Sequence, residues 1–191
     1  MTDKTPFANV ETQRLVLRCF ADADLAPFLA YANDPLVSRY QSWESYTEAQ
    51  ARELIGRQKT AEPGRPGWFS FAVELKETRR MVGHVSLNAR AEDVRQGEIG
   101  FAFAREHQGR GLAREAAERV LAYAFEVLGM HRVAAVTDCE NARSVALLER
   151  LGMRREAHFV ENIWFKGAWG SEFNYAILRS EWESRRDAGA G

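Results

Sequence analysis

His107-Gln108-Gly109-Arg110-Gly111-Leu112-Ala113 lies between an apolar run, residues 99–104, and a strongly periodic helical segment, residues 114–128. A strand that feeds a glycine-rich turn and then a helix leaves backbone N–H groups unpaired at the positive end of a helix dipole, where a phosphate accepts from them. The same residues also suit a plain tight turn in which glycine supplies only backbone freedom. The flanking elements bear on that choice. Ala113, Ala116, Ala117, Val120, Leu121, Ala124 and Leu128 recur at three- and four-residue steps and line one helix face. Gly129 stops the helix, and residues 132–137 form a short β-branched and apolar run. Strand, helix and strand in that order predict a βαβ crossover whose two strands are parallel.

Upstream, Arg14-Leu15-Val16-Leu17-Arg18 alternates polar and apolar as a half-buried strand does. Ala21-Asp22-Ala23-Asp24 offers an N-cap to an amphipathic segment, 25–32, which Asn33-Asp34-Pro35 ends. Thr47-Glu48-Ala49-Gln50 has the pattern of a capping box, so a second helix is predicted to run to about residue 58. Between these helices the irregular segment 38–46 carries Tyr40, Trp43 and Tyr46, which suit a loop packed on the core or the wall of a pocket. After the breakers Pro63-Gly64-Arg65-Pro66-Gly67, residues 68–75 and 81–88 predict an antiparallel hairpin about the turn 76–80, and 98–104 adds a further strand. Beyond the crossover, Asn141-Ala142-Arg143-Ser144 opens a helix that ends at Gly152. Residues 154–165 and 172–178 then form two strands around Lys166-Gly167-Ala168-Trp169-Gly170, and 180–191 is a polar tail, helical at first.

For 191 residues one domain is the simplest expectation, with a core over about 11–179. Hydrophobic residues at 46% and charged residues at 28% are globular values, which sets aside disordered and fibrous classes. A net charge of −1 without a long run of one sign argues against nucleic-acid binding. Cys19 and Cys139, and the scattered His84, His107, His131 and His158, have neither metal-ligand nor disulfide spacing, so no metal is expected and both thiols are read as reduced. Residues 1–8 hold no apolar stretch of signal-peptide length, and no segment is long enough to span a bilayer, which predicts a cytoplasmic protein without membrane attachment.

The element order, with Gln108-x-x-Gly111-x-Ala113 at the loop, resembles the GNAT superfamily of acyl-CoA-dependent N-acetyltransferases, whose loop signature is Q/R-x-x-G-x-G/A. Further similarity lies in Arg14-Leu15-Val16-Leu17-Arg18, Val82-Gly83-His84-Val85-Ser86-Leu87, Glu98-Ile99-Gly100-Phe101, and Asn141-Ala142-Arg143-Ser144 followed by Leu147-Leu148-Glu149-Arg150-Leu151-Gly152-Met153. Trp169 with Tyr175-Ala176-Ile177-Leu178 completes it. Together these look like the RimJ/RimL-like branch, which contains the ribosomal-protein N-terminal acetyltransferases.

That resemblance implies an α/β fold: a mixed, mostly antiparallel central sheet with helices on both faces and a splayed parallel strand pair that holds acetyl-CoA. It places the diphosphate on the backbone N–H groups of Gln108, Gly109, Arg110, Gly111, Leu112 and Ala113, where glycine removes the Cβ from the approach. The pantetheine arm would pair with backbone at Phe101, Ala102 and Phe103 like an added strand. Arg110 or Arg114 would add a salt contact to a CoA phosphate, although many relatives carry Thr where Arg114 stands. The family also commonly forms dimers, for which Trp164 and Trp169 are candidates.

Acetyl transfer to an amine needs a neutral amine, donors for the developing oxyanion, and a proton for the departing thiolate. The resemblance gives Glu98 the first task, commonly through water; the alternative is an exposed strand carboxylate. Ser144 would protonate the thiolate, or is simply a polar residue near a helix N-terminus. Asn141 is a natural N-cap, and by resemblance hydrogen-bonds pantetheine or substrate. Tyr175 suits core or pocket wall. Ser171 stands where related sequences often have Asp. An α-amine, with pKa near 8, costs about 1.4 kcal/mol to deprotonate at pH 7, whereas a lysine costs about 4.6. A water-mediated base therefore favours as acceptor the α-amine of a protein or peptide N-terminus, with amino sugars, polyamines and antibiotic amines as alternatives. The acceptor pocket is expected among 38–46, 63–67 and 165–172. Two other readings compete: a CoA-binding sensor without turnover, and a phosphate-binding kinase or NTPase, which the absence of G-x-x-x-x-G-K-[ST] disfavours.

Overall fold

The alternation at the start of the chain sets the first strands, β1 (Val10–Glu11) and β2 (Leu15–Arg18). Leu15 and Leu17 are wholly buried, and Val16 and Arg18 only partly so. The computed structural model describes residues 7–189, so most of the N-terminal stretch read for a signal peptide, and the last two residues of the tail, lie outside the described residues.

Asp24 departs from its predicted capping role. A short 3-10 turn, Asp22–Asp24, precedes α1 (Leu25–Ala32), and Asp24 gives that helix no side-chain cap. Its carboxylate is buried, accepting from both terminal nitrogens of Arg18 at 2.7 and 2.8 Å and from Ala21 N at 2.8 Å. A carboxylate withdrawn from water needs a charged, hydrogen-bonding partner more than a helix end needs a cap. Asp34 caps α2 (Pro35–Ser38), with proline in the first turn, and the Thr47/Gln50 capping box opens α3 (Glu48–Thr60) as predicted.

The predicted hairpin is β3 (Gly67–Leu75) and β4 (Arg80–Ala89), followed by β5 (Gln96–Phe103). Past the glycine loop comes α4 (Leu112–Ala122), whose last turn widens into a π turn over Tyr123–Val127 before Gly129, at φ 66°, ends it. Val120 and Leu121 on its inner face are fully buried, each stabilising the fold by about 2 kcal/mol. Then follow β6 (Arg132–Asp138), α5 (Ala142–Arg150), β7 (Arg154–Phe165), β8 (Ala168–Leu178) and α6 (Arg179–Gly189).

The predicted five-residue turn before β8 is shorter in the structure. Lys166 and Gly167, at φ 49° and 87°, make a two-residue turn, because positive φ at both central positions matches the twist of a tight hairpin. Residues 168–171 therefore join the strand.

Among the described residues eight strands form one sheet in the order β1-β2-β3-β4-β5-β6-β8-β7, antiparallel except at β5 and β6. That parallel pair is the predicted crossover, and it is brief: Gln96, Gly97 and Glu98 face Arg132, Val133 and Ala134, and pairing ceases. Beyond Glu98 the strands follow different neighbours, β5 keeping its ladder with β4 to Phe103 and β6 its ladder with β8 to Asp138. A V-shaped opening results. One core lies under α4 and α5 on one face of the sheet; the other, under α1 to α3, includes Phe28, Tyr31 and Ile55. His84 stands among the rings of Phe20, Phe28, Tyr31 and Trp43, with Nδ1 2.7 Å from the Tyr31 hydroxyl. Burial lowers its pKa to about 4, so at neutral pH it is an uncharged part of that core.

Candidate functional site

The glycine loop follows a 3-10 turn, Arg105–His107, at the end of β5. Gln108 serves this turn rather than the cradle: its N–H donates to Arg105 O at 3.1 Å, and its side-chain amide donates to Phe103 O at 2.9 Å. Gly109 and Gly111 sit at φ 73° and 78°, where a Cβ would strain the backbone. Among the described residues, none of the backbone N–H groups of Gly109 to Arg114 meets an acceptor; the first to do so belongs to Glu115, which bonds Gly111 O at 3.1 Å. Six consecutive donors at the head of an 11-residue helix suit a diphosphate, and Leu112, buried behind them, anchors the loop.

A brace from the turn between β1 and β2 holds the loop, and no motif in the sequence marked its contacts. Arg14 Nη1 donates to Arg110 O at 2.9 Å and Nε to Glu115 Oε2 at 2.7 Å. Glu115 Oε1 accepts from Arg14 N and Thr12 Oγ1. Arg110 lies exposed beside His107, Nη1 to Nδ1 3.5 Å. Arg114 runs along α4 to Glu118 at 2.8 Å and lines a groove of about 450 Å³ against α6, not the V.

On β5, Ala104 N donates to Val82 O across the β4 ladder. Alternate residues of an antiparallel strand bond the same neighbour, so Ala102 also turns its N–H and C=O toward β4. Phe101 and Phe103 turn theirs to the open side, where Gln41 Nε2 reaches Phe101 O at 3.4 Å and Gln108 reaches Phe103 O. Of the three predicted backbone positions, Phe101 and Phe103 border the V and Ala102 does not. Its side chain packs in the core under α1 to α3.

A cleft of about 230 Å³ occupies the V, bounded by Tyr40 and Phe101, by Asn141 before α5 and Ser144 on it, and by Asp138 and Glu172. Asn141 caps α5, its Oδ1 accepting from Ser144 N at 3.2 Å, and the Ser144 hydroxyl has no hydrogen-bond partner among the described residues. Glu98 lies where β5 and β6 part, on the sheet face away from Ile99, next to Asn88 and Ala134. Burial raises its pKa, the Glu172 carboxylate raises it further, and Arg90 opposes both. Asp138 and Glu172 face each other across the β6–β8 ladder, which only the strand order could reveal.

Segments 38–46 and 165–172 border this cleft, through Tyr40 to Ser42 and through Phe165 and Glu172. Lys166 clasps the two walls together by donating to the carbonyl oxygens of Ser38 and Trp43. The loop 63–67 does not take part: Gly64 packs beside Leu128, and Pro66 bridges Ala89 at the far end of β4. Ser171 accepts from Glu161 N at 2.9 Å. Tyr175 is wholly buried and donates to Glu149 at 3.1 Å, as a core residue does. Trp164 and Trp169, both exposed, pack edge to face on the hairpin. The described residues contain no group of metal ligands and no helix long and apolar enough to cross a membrane, and Cys19 and Cys139 are free thiols.

Residues 14–154 match the family model for the acetyltransferase (GNAT) domain. The chain is 30% identical to the uncharacterized N-acetyltransferase YnaD of Bacillus subtilis (strain 168) over 174 residues, 91% of this chain and 99% of that protein. Among solved structures, an acetyltransferase (GNAT family) from Bacillus anthracis superposes with a TM-score of 0.82 at 30% identity, over 91% of this chain and 100% of the other. The spermidine N-acetyltransferase from Vibrio cholerae, solved in complex with CoA and spermine, superposes with a TM-score of 0.78 at 26% identity, over 90% and 99%.

Proposed function

The chain belongs to the GNAT acetyltransferase family and is an N-acetyltransferase; we propose that it transfers acetyl directly from acetyl-CoA, in a ternary complex, to a primary amine held between β5 and β6. The splay beyond Glu98 carries this reading: Glu98 stands where the strands part, Phe101 borders the cleft that opens beyond it, and the loop that follows β5 carries a run of free N–H donors. Acetyl-CoA supplies a thioester carbonyl for attack by the amine. In this reading Gly109 to Ala113 bind the diphosphate, and the N–H groups that Phe101 and Phe103 turn to the open edge align the pantetheine arm. Glu98 takes the proton lost by the attacking nitrogen, directly or through water, and Ser144 returns one to the departing sulfur. Asn141 fixes Ser144 by capping its helix.

The acceptor we favour is the α-amine of a peptide or protein N-terminus, as a RimJ/RimL-like enzyme would use, because a partly buried carboxylate is a modest base and suits a weakly basic amine. Asp138 and Glu172 favour a second reading, a small polyamine whose further charges rest on them, and the likeness to a spermidine N-acetyltransferase supports it.

Release of free thiol from acetyl-CoA, followed across N-terminal peptides, lysine peptides, spermidine and aminoglycosides, tests both. The first reading predicts release with N-terminal peptides well above the rest. Release with spermidine alone establishes the second, and tight donor binding with no release from any amine would make the protein a sensor rather than a catalyst.

A further inference from the structure

We propose that Arg143 is a donor-binding residue that grips the diphosphate of CoA from the α5 side, opposite the N–H groups of the glycine loop. The inference rests on the placement of the diphosphate at Gly109 to Ala113. Arg143 is the second residue of α5, and its Nη1 donates to Gln108 Oε1 at 2.6 Å, while the same amide donates to Phe103 O. A hydrogen-bonded chain therefore runs from α5 to the end of β5 and carries the guanidinium to the start of the loop.

The loop's N–H groups offer dipoles but no net charge, and a diphosphate needs a cation as well. Most arginines nearby already have carboxylate partners: Arg14 holds Glu115, Arg114 holds Glu118, and Arg105 faces Asp34 at 3.6 Å. Among the described residues Arg143 meets no carboxylate. Arg110 also lacks one, but its side chain lies against His107. Arg143 is thus the cation whose partner is a neutral amide oxygen. Exchanging that oxygen for phosphate oxygens turns a neutral acceptor into a charged, bidentate one. Until the exchange, Gln108 acts as the positioning residue that keeps the fork beside the loop.

Calorimetric titration of the full chain with CoA and with pantetheine, which lacks the diphosphate, tests this without an identified acceptor. Arg143→Ala is expected to weaken CoA binding about tenfold, the effect of one charged hydrogen-bonding partner, and to leave pantetheine binding unchanged. Arg143→Lys, which keeps charge without the fork, should recover part of the loss. Unchanged CoA affinity in Arg143→Ala, or equal weakening for both ligands, overturns the proposal. Gly111→Asp separates the premise from the inference. If CoA still binds that variant, the diphosphate lies elsewhere and the premise fails; if binding is lost there while Arg143→Ala is silent, only the role of Arg143 fails.

Discussion

Replacing Gly111 by aspartate is expected to abolish acetyl-CoA binding while leaving the protein folded. Gly111 is the N-cap of α4 at φ 78°, and aspartate is among the residues least strained in that conformation. A Cβ there lies 3.4 Å from Arg14 Nη2, the movable end of a flexible side chain, so steric cost is small. The new carboxylate accepts from the N–H groups that open α4, as an N-cap aspartate does, and so fills the cradle from within. It also sets a negative charge against the diphosphate, and juxtaposed like charges cost several kcal/mol, enough for a loss of about a hundredfold or more. Gly111→Asn, which caps without charge, separates the two effects and should lose less. Calorimetry with acetyl-CoA checks both variants, and micromolar binding retained by Gly111→Asp would refute the cradle.

The second large effect belongs to Glu98→Gln. Glutamine keeps the size and hydrogen bonding of the side chain but cannot take a proton, so kcat is expected to fall about a hundredfold, within the range for loss of a general base. Donor affinity should be unchanged, because the proposed role of Glu98 is toward the acceptor amine and not the donor. The pH profile fixes the sign. The carboxylate works only when deprotonated, so wild-type activity falls as pH drops through the Glu98 pKa, which burial places above the ordinary carboxylate value. The variant should lose that acid limb. Its residual rate then follows the amine alone, recovering by about pH 8 for an α-amine and only near pH 10 for a lysine or polyamine nitrogen. A variant with wild-type kcat and an intact acid limb would remove Glu98 from the chemistry.

Local signals in the sequence carried far. Thr47 and Gln50 marked the start of α3 because a capping box involves only four adjacent residues, and Asn141 marked α5 for the same reason. Alternation gave β2, β-rich runs between turn residues gave β3 to β5, and the order strand, helix, strand gave the crossover. What escaped depends on contacts between elements. Asp24 looks like a cap until Arg18 on β2, six residues back, is seen paired with it, and the 101-residue separation of Arg14 and Glu115 hides the brace on the glycine loop. Strand order is likewise nonlocal: β8 enters between β6 and β7, and only then do Asp138 and Glu172 face one another near Glu98. At the loop, the residue types were legible but their division of labour was not. Gln108 spends its N–H and its amide on the turn and on Phe103, and Ala102 points its backbone at β4, because each residue offers one N–H and one C=O and an existing partner removes them from a ligand.

The central claim, that the donor lies in the V between β5 and β6 with its diphosphate on the loop, is tested most directly by titrating the isotope-labelled full chain with CoA and following backbone amide resonances. The predicted result is saturable shifts concentrated at Gly109 to Ala113, with further shifts at Phe101 and Phe103 on the open edge. Shifts concentrated instead in the groove between α4 and α6, around Thr12, Leu151 and Trp182, or an unperturbed glycine loop at saturation, would contradict it.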